Sequence, residues 1–328
     1  MIFLADLYGF TQLETGKLLL AILLGGFALI ACLFLYVCIC KVLGTPKTKR
    51  RGAMTTSAQL PLLVMDKSFA HAPDRAQMAE LASSYMVVVP DDFVHEVFTT
   101  ADWKRVKALT GFPDFYRIHV EDYLQRERAT GEPVLNAPSE EFVTKYFNPA
   151  VTKPDFQLAP EYRAVTDEYQ SKVVNPSKEF WTEAIGEQIP GFTGEECLAA
   201  RKSEENFRAA CAAVRQQVRV QAFAKIIRDP LAEKLDARWF IFRKYQTIML
   251  QALVMNFRYP NGESPNLDKL ENDVHDMKYL LLALVTQNLA TGDDSDKLGK
   301  TSLGWRFKTL LPEGNLIVPK RHSKPSYC

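Results

Sequence analysis

Two short apolar runs near residues 60 and 85 indicate the first strands of the fold. Residues 60–66 (LPLLVMD) end in an acid and residues 85–90 (YMVVVP) end in a proline, and both runs are typical of buried β-strands. Helical periodicity fills residues 73–84 between them and residues 91–100 after them. This alternation of apolar strands and helices predicts a parallel sheet that is covered on both faces.

The middle of the chain has a different pattern. Residues 101–258 carry long helical periodicities, a few proline-rich joints and no convincing strand, so we predict a mainly α segment. The α/β pattern then returns. Residues 288–293 (NLATGD) and 315–319 (NLIVP) are typical of short strands. Before them, residues 264–287 form a capped helix with a predicted buried stripe of Leu267, Leu270, Val274, Met277, Leu281 and Leu284. The sheet is therefore predicted to be assembled from both ends of this region, with a helical insertion between them.

One apolar segment precedes all of these elements. Residues 18–40 are 23 consecutive residues without a charge. As a helix they would span roughly 35 Å, enough to cross a hydrocarbon core of about 30 Å. A cleaved signal peptide fits poorly, because its apolar region rarely exceeds roughly 15 residues and no small-x-small site follows before Lys41. A buried core helix is usually shorter. We therefore predict one transmembrane helix at 18–40.

The charges around this segment predict its orientation. Five basic residues follow it closely: Lys41, Lys47, Lys49, Arg50 and Arg51. The positive-inside rule then places residues 1–17 outside and the large C-terminal part in the cytoplasm, joined by a basic juxtamembrane linker at 41–57 that contacts anionic lipid. The mean hydropathy of −0.13 and the 24% of charged residues agree with a water-soluble remainder.

Cysteine usage and missing motifs narrow the possible chemistry. None of the six cysteines has C-x-x-C spacing, so neither a disulfide framework nor a zinc site is predicted. Cys38 and Cys40 are candidates for acylation, although small residues in a membrane helix are the commoner case. The sequence has no P-loop, G-x-G-x-x-G, H-E-x-x-H or G-x-S-x-G motif. Nucleotide-driven and serine-hydrolase chemistry therefore have no support.

The net charge of +1 hides two opposite regions. Residues 201–260 contain 12 Lys and Arg against 5 acids, and residues 261–298 contain 8 acids against 3 Lys. On one continuous helix, Arg208, Arg215 and Arg219 would lie within about 40° of one another. Such a stripe is commonly a solvated face, and its functional alternative is a surface that tracks phosphates. The aromatic and basic residues 238–246 (RWFIFRKYQ) likewise fit a core more often than a base-stacking surface.

Four acids are expected to meet at one edge of the sheet. Asp66 ends the first strand run and Asp293 ends the run at 288–293, while Glu96 and Asp276 lie on neighbouring helices. Parallel sheets bind ligands outside the carboxyl ends of their strands. Four carboxylates there would repel one another unless divalent cations lay among them. This arrangement suits phosphodiester hydrolysis, in which one or two Mg²⁺ or Mn²⁺ ions activate a water and neutralise the leaving oxygen.

The segments that carry these acids are VMDKSF (64–69), MVVVPDDFVHEVF (86–98) and HDMKYLLLALVTQNLATGDDSDKL (275–298). They resemble the PIN-like nuclease superfamily. The resemblance implies that Asp66, Glu96, Asp276 and Asp293 bind metal and that Ser68 is a supporting hydroxyl. It also implies cleavage of single-stranded or structured RNA, less often of DNA. Because toxin-like members are often held inactive by a partner, a regulatory protein is a further candidate partner.

Several residues near these acids leave alternatives open. Asp273 rivals Asp276, and Asp294 rivals Asp293, although the T-G-D spacing favours Asp293. Asp66 has an alternative as a surface acid that caps a helix. Lys67 beside it is a competitor for a metal.

Two histidines are alternative candidate ligands. His275 and Asp276 form an H-D pair like that of metal phosphohydrolases, but those proteins are all-helical and need further histidines upstream. His95 is expected to be a partly exposed helix residue rather than a ligand. Neither histidine is therefore included in the predicted site.

We therefore predict an α/β protein with a parallel-sheet PIN-like core, a large mainly α insertion and one N-terminal transmembrane helix. The predicted segments are 1–17 (extracytoplasmic), 18–40 (transmembrane), 41–57 (linker), 58–100 (first half of the core), 101–260 (helical insertion), 261–320 (second half of the core) and 321–328 (tail). The expected function is that of a membrane-anchored, metal-dependent endonuclease acting on RNA. The alternative is a non-catalytic membrane scaffold that keeps the fold and binds a protein partner through the insertion. The oligomeric state is left open.

Overall fold

The computed structural model of the chain describes residues 60–71, 75–90, 92–93, 95–96, 114–118, 120–135, 143–147, 167–184, 189–259, 266–292 and 301–319. The segments predicted at 1–17, 18–40, 41–57 and 321–328 lie outside these residues. Among the helices that the structure describes, none is both long and apolar enough to cross a membrane. The predicted anchor and its orientation therefore stay predictions.

A mixed sheet forms the centre of the described fold. Its six strands are β1 (Leu62–Met65), β2 (Met86–Val88), β3 (Asp114–Ile118), β4 (Val143–Phe147), β5 (Asn288–Ala290) and β6 (Asn315–Ile317). Their order in the sheet is β4-β3-β2-β1-β5-β6. Only β4, at one edge, is antiparallel to its neighbour, and the other five strands are parallel. The prediction of an α/β fold with a parallel sheet is confirmed.

The central strands lie where the apolar runs predicted them. All four residues of β1 are buried, because it pairs with β2 on one side and with β5 on the other. The register aligns Leu63 with Val87 and Met65 with Ala290. A strand that is covered on both faces and both edges has a continuous apolar sequence, which explains why β1 could be predicted from the sequence alone.

The prediction that residues 101–258 contain no strand is wrong. Strands β3 and β4 both lie in this segment and form one end of the sheet. Their sequences, DFYRI and VTKYF, mix charged and aromatic residues, and Lys145 of β4 is exposed. Strand β4 is the edge strand, and β3 lies between it and β2. On β3, Tyr116 and Arg117 are only partly buried, so neither strand needs the apolar run that marks a strand buried on both faces.

Helices form most of the remaining described structure. In chain order they are α1 (Lys67–Ala70), α2 (Arg75–Ser84), α3 (Val120–Thr130), a π-helical turn (Gln170–Val174) that continues into α4 (Asn175–Ala184), α5 (Gly194–Lys202), α6 (Glu204–Ala213), α7 (Gln217–Ile226), α8 (Phe240–Arg258), α9 (Leu267–Thr286) and α10 (Leu303–Leu310). Residues 92, 93, 95 and 96 after β2 are also helical. The predicted helices at 73–84 and 264–287 thus correspond to α2 and α9.

Helix α9 follows its predicted stripe except at its start. The side-chain oxygen of Asn266 accepts a hydrogen bond from the N–H of Lys269 at 3.1 Å and caps the helix. Leu270, Val274 and Leu284 are buried, as predicted, whereas Met277 and Leu281 are only partly buried. Leu267, however, is 57% exposed, because it lies in the first turn, where the helix extends beyond the core.

Helix α8 is the most deeply buried helix described and carries the aromatic stretch. Trp239, Phe240 and Phe242 are all buried, so the expectation that they belong to the core is confirmed. The start of α8 has no side-chain cap of its own. Instead, buried Glu127 of α3 accepts hydrogen bonds from the backbone N–H groups of Phe240 at 2.6 Å and Ile241 at 2.9 Å. A carboxylate from another element therefore satisfies the positive end of this helix.

The strand order creates a switch point between β1 and β5. From β1 the chain proceeds outward to β2 and β3, and it returns to the other side of β1 only at β5. In open parallel sheets, the crevice outside the carboxyl ends of such strands is the usual ligand site. A functional site is therefore expected among the residues that follow β1, β2 and β5.

Candidate active site

Asp66 follows β1 directly, and its buried side chain is 4% exposed. Its Oδ1 accepts a hydrogen bond from the N–H of Phe69 at 2.8 Å and caps α1. Two hydroxyl groups donate to the same carboxylate, that of Ser68 at 2.8 Å and that of Thr291, after β5, at 2.6 Å. Asp66 therefore caps a helix, as the alternative interpretation expected, but it is buried and not a surface acid. The carboxylate is held in one orientation by partners from both sides of the switch point.

Residues Thr291 and Gly292 pack tightly against Ser68. The N–H of Gly292 donates a hydrogen bond to Ser68 Oγ at 2.8 Å. A Cβ atom at Gly292 would lie 2.7 Å from the carbonyl oxygen of Ser68, which is closer than real Cβ atoms come. In this chain the T-G pair therefore has a structural reason, since the threonine reaches Asp66 and the glycine provides the space. Asp293 and Asp294 lie outside the described residues.

Glu96 lies on the helical segment after β2 and contacts α9. Its Oε2 accepts a hydrogen bond from the hydroxyl of Tyr279 at 2.7 Å. Burial raises the pKa of Glu96 above its ordinary value, although the charges of His275 and Lys67 oppose that effect. Burial also raises the pKa of Tyr279 well above its ordinary value, and the negative charges of Glu96 and Asp66 add to the increase. Asp66 directly follows β1 and Glu96 follows β2, and these two parallel strands are neighbours, so both carboxylates lie towards the same edge of the sheet.

A buried pair of Asp92 and His275 lies beside Glu96. His275 Nδ1 is 2.8 Å from Asp92 Oδ1, and Lys278 Nζ lies 3.3 Å from the same oxygen. Burial tends to raise the pKa of Asp92, but the charge of Lys278 and the hydrogen bond with His275 outweigh it and hold this pKa below its ordinary value. Asp92 is therefore a carboxylate at neutral pH, and it orients the ring of His275.

His95 packs against His275, with the two ring centroids 5.6 Å apart. Its side chain is 5% exposed, so the expectation of a partly exposed residue is wrong. Burial and then the neighbouring His275 lower the pKa of His95, which keeps its ring neutral at pH 7. One ligand atom each from His95, His275 and Glu271 lie within 4.8 Å of one another. These three residues form a group that can hold a metal ion within the described part of the chain.

The two rival acids on α9 have different surroundings. Asp273 is buried and contacts two arginines, Arg306 through Nη2 at 2.5 Å and Arg258. Around the helix axis Asp273 lies about 120° from Tyr279, whereas Asp276 lies only about 60° from it. Asp276 is also partly exposed. It is thus the better placed of the two for the site that contains Glu96, and Asp273 is an internal partner of the arginines.

The predicted arginine stripe does not lie on one helix. Helix α6 ends at Ala213 and α7 begins at Gln217, and the last of the three residues between them, Gln216, is in an extended conformation (φ −70°, ψ 126°). The turn allows α6 and α7 to bury separate faces, among them those of Cys211 and Val220. The prediction that Arg208, Arg215 and Arg219 share one helical face is therefore wrong.

The three arginines make separate local contacts. Exposed Arg208 pairs with partly exposed Glu204 one turn earlier at 3.0 Å, and Arg215 Nε donates to the carbonyl oxygen of Ala212 at 3.3 Å. Arg219 binds both carboxylate oxygens of Glu196, at 2.5 and 2.9 Å, and so ties α7 to the start of α5. These contacts are structural, and none of them by itself points to a nucleic-acid surface.

Several residues of the site did not stand out in the sequence. Thr291 belongs to the T-G-D run, but the sequence alone does not indicate that its hydroxyl binds Asp66. Glu271 and His275 are four residues apart, a spacing that places them on one helical face and was available as a signal. His95 and Asp92 gave no such signal, because the fold brings them to α9 across about 180 residues of chain.

Comparisons with family models, with curated proteins and with solved structures found no match to this chain.

Proposed function

We propose that this chain is a metal-dependent endonuclease of the PIN-like kind that hydrolyses RNA. The observation that best supports the proposal is that Asp66 and Glu96 follow the neighbouring parallel strands β1 and β2, beside the switch point between β1 and β5. Ser68 and Thr291 fix the orientation of the Asp66 carboxylate. Hydroxyl groups that orient a carboxylate in this way are the usual second shell of a metal ligand.

The donor set suits Mg²⁺ or Mn²⁺, because both ions prefer carboxylate oxygens. Asp66 and Glu96 would hold the ion together with Asp276 and Asp293. The raised pKa of Glu96 fits this role, since a desolvated carboxylate gains from a nearby cation. When bound, the ion would lower the pKa of a water and stabilise the charge on the leaving oxygen. Tyr279 positions Glu96 through its hydrogen bond.

The proposed substrate is single-stranded or structured RNA, with DNA as the less common case for nucleases of this kind. The apolar segment at 18–40 would hold the enzyme at the cytoplasmic face of a membrane. A regulatory protein that blocks the site is the proposed partner.

The test is RNA cleavage in Mn²⁺ by the purified full-length chain in mild detergent. We expect Asp66→Asn and Asp293→Asn to reduce the rate by roughly 100-fold or more, because each removes a negatively charged ligand oxygen. Asparagine remains a good N-cap, so Asp66→Asn keeps the hydrogen bond that starts α1. Asp122→Asn, at an exposed position on α3, is the matched control and should cleave at the wild-type rate.

Equal rates for the wild type and both site variants would contradict the proposal. They would favour the alternative of a non-catalytic scaffold, which has one observation of its own: Asp66 already has a structural role as the cap of α1. In a scaffold, Asp66→Asn would change the free energy of unfolding slightly and would change no cleavage rate.

A further inference from the structure

His95, His275 and Glu271 form a compact group of nitrogen and oxygen donors. The two rings belong to the helical segment after β2 and to α9, and Glu271 lies one turn before His275 on α9. Their ligand atoms lie within 4.8 Å of one another. Tetrahedral Zn²⁺, with bonds of about 2.1 Å, holds its ligands about 3.4 Å apart. Inward shifts of about 1 Å would therefore complete three corners of a coordination site.

The hydrogen bond to Asp92 prepares His275 for this role. Asp92 is a carboxylate and only accepts hydrogen bonds, so Nδ1 of His275 must carry the proton in that contact. In the neutral ring the lone pair is then on Nε2. A carboxylate behind a ligand histidine is the common second shell of protein zinc sites, where it fixes both the tautomer and the ring orientation.

The tautomer of His95 follows from its contact with Gln170. The amide nitrogen of Gln170 donates to Glu271 Oε2 at 3.2 Å, which directs its carbonyl oxygen towards His95 Nε2 at 2.9 Å. Since that oxygen only accepts, Nε2 of His95 is the protonated nitrogen and Nδ1 carries the lone pair. Both rings thus present one unprotonated nitrogen.

Glu271 completes the donor set. Its contacts with Lys178, at 2.8 Å, and with Gln170 are both made by Oε2, which leaves Oε1 as the ligand oxygen. Lys178 balances the charge of Glu271 while no cation is bound. Two imidazoles and one carboxylate are a typical set for Zn²⁺ with one open position, whereas Mg²⁺ prefers oxygen ligands alone.

We propose that His95, His275 and Glu271 bind a Zn²⁺-type transition-metal ion, with Asp92 as the residue that positions His275. This site is separate from the set of carboxylates proposed for Mg²⁺ or Mn²⁺. It does not depend on the nuclease activity. Because Glu96 directly follows His95, the two sites would be neighbours.

The test is titration of the metal-free, tag-free full-length chain with Zn²⁺ by calorimetry, and with Co²⁺ by visible absorption. We expect one ion per chain and the absorption of four-coordinate Co²⁺ without thiolate bands. Glu271→Gln and His95→Gln should abolish this binding, and Asp92→Asn should weaken it by about 10–100-fold. The matched controls Glu205→Gln and His71→Gln should bind as the wild type does.

Three results would overturn the inference. They are the absence of binding by the wild type, binding that His95→Gln and Glu271→Gln leave unchanged, and Co²⁺ absorption that shows thiolate ligands. If His95→Gln is unfolded by circular dichroism, the partly exposed position of Glu271 keeps the test informative. Binding lost in Asp66→Asn but kept in His95→Gln would assign the ion to the carboxylate site instead. RNA cleavage does not enter any of these results, so failure of the proposed function would be seen separately.

Discussion

At the scale of single residues, Gly292 shows how closely the two halves of the chain approach. Its N–H binds Ser68 Oγ, and its α-carbon faces the Ser68 backbone. We predict that Gly292→Ala lowers the free energy of unfolding by about 1–3 kcal/mol, because the new methyl group would meet the carbonyl oxygen of Ser68 at 2.7 Å. Thermal unfolding of the purified variant measures the change.

Gly131 provides the matched control for this substitution. It has φ +65°, but the nearest atom to an added Cβ is Lys234 Nζ at 3.7 Å, so the space is open. Asparagine tolerates this conformation, and Gly131→Asn should cost less than about 1 kcal/mol. If Gly292→Ala lowered the free energy of unfolding no more than Gly131→Asn does, the close packing of Gly292 against Ser68 would be contradicted.

Glu96 gives a prediction about pH. Its pKa is raised by burial, so the folded state binds the proton more tightly than the unfolded state. Stability is then lost as the pH rises from about 4, the ordinary pKa of glutamate, through the raised pKa of the folded state. We predict that Glu96→Gln raises Tm at pH 7.5 in a chelator, and that this gain disappears below about pH 4.

The effect of Glu96→Gln on Tm should differ when metal is present in place of the chelator. Excess Mn²⁺ should raise the Tm of the wild type more than that of Glu96→Gln, because a ligand that binds the folded state stabilises it. Glu205→Gln, at an exposed position on α6, should follow the wild type under all conditions. An equal response of Glu96→Gln and the wild type to Mn²⁺ would mean that Glu96 is not a ligand.

At the scale of elements, helix α8 depends on a residue of α3. Glu127 is fully buried and accepts hydrogen bonds from the backbone of Val134, Phe240 and Ile241. We predict that Glu127→Ala lowers the free energy of unfolding by about 3 kcal/mol, since three buried N–H groups lose their acceptor. Denaturant unfolding measures this loss.

Two further variants separate the cap from the charge. Glu127→Gln keeps an acceptor oxygen and removes the desolvated charge, so its loss should be clearly smaller. Glu121→Ala, at an exposed position on the same helix, should change stability by no more than about 0.5 kcal/mol. A loss in Glu121→Ala as large as that in Glu127→Ala would point to the propensity of α3 rather than to the cap of α8.

At the scale of the whole molecule, one buried network joins three helices. Arg306 of α10 donates to Asp273 of α9 and to Gln251 of α8, at 2.5 and 2.8 Å. Arg258, at the end of α8, contacts the same Asp273. We predict that Asp273→Asn lowers the free energy of unfolding by about 3–5 kcal/mol, because it leaves the buried guanidinium of Arg306 without a counter-charge.

A double-mutant cycle checks this assignment. Arg306→Met removes the charge that Asp273 balances, so Asp273→Asn in that background should cost much less than in the wild type. Asp276→Asn should have little effect on stability in either background. If the losses of unfolding free energy in Asp273→Asn and Arg306→Met simply added in the double variant, the two residues would not act as a pair.

How much the sequence revealed depended on how each segment is buried. Strand β1 left a clear signal, because complete burial restricts the residue types. The T-G-D run pointed to Asp293, but the close packing of Gly292 on Ser68 is seen only in the structure. Strands β3 and β4 left little signal, since partly buried strands accept charged residues such as Arg117 and Lys145. The pairing of His95 with His275 left none, because it arises only when the fold brings distant segments together.

The pairing of β1 with β5 also has a consequence for how the protein is made. Asp66 and Thr291, which bond across this junction, are 225 residues apart. A ribosome that adds about 5–20 residues per second would need about 11–45 s to pass from one to the other. During that time one edge of the apolar strand LLVM lacks its partner, and such an edge is a template for aggregation. We therefore expect the nascent chain to need a chaperone until its last strands emerge.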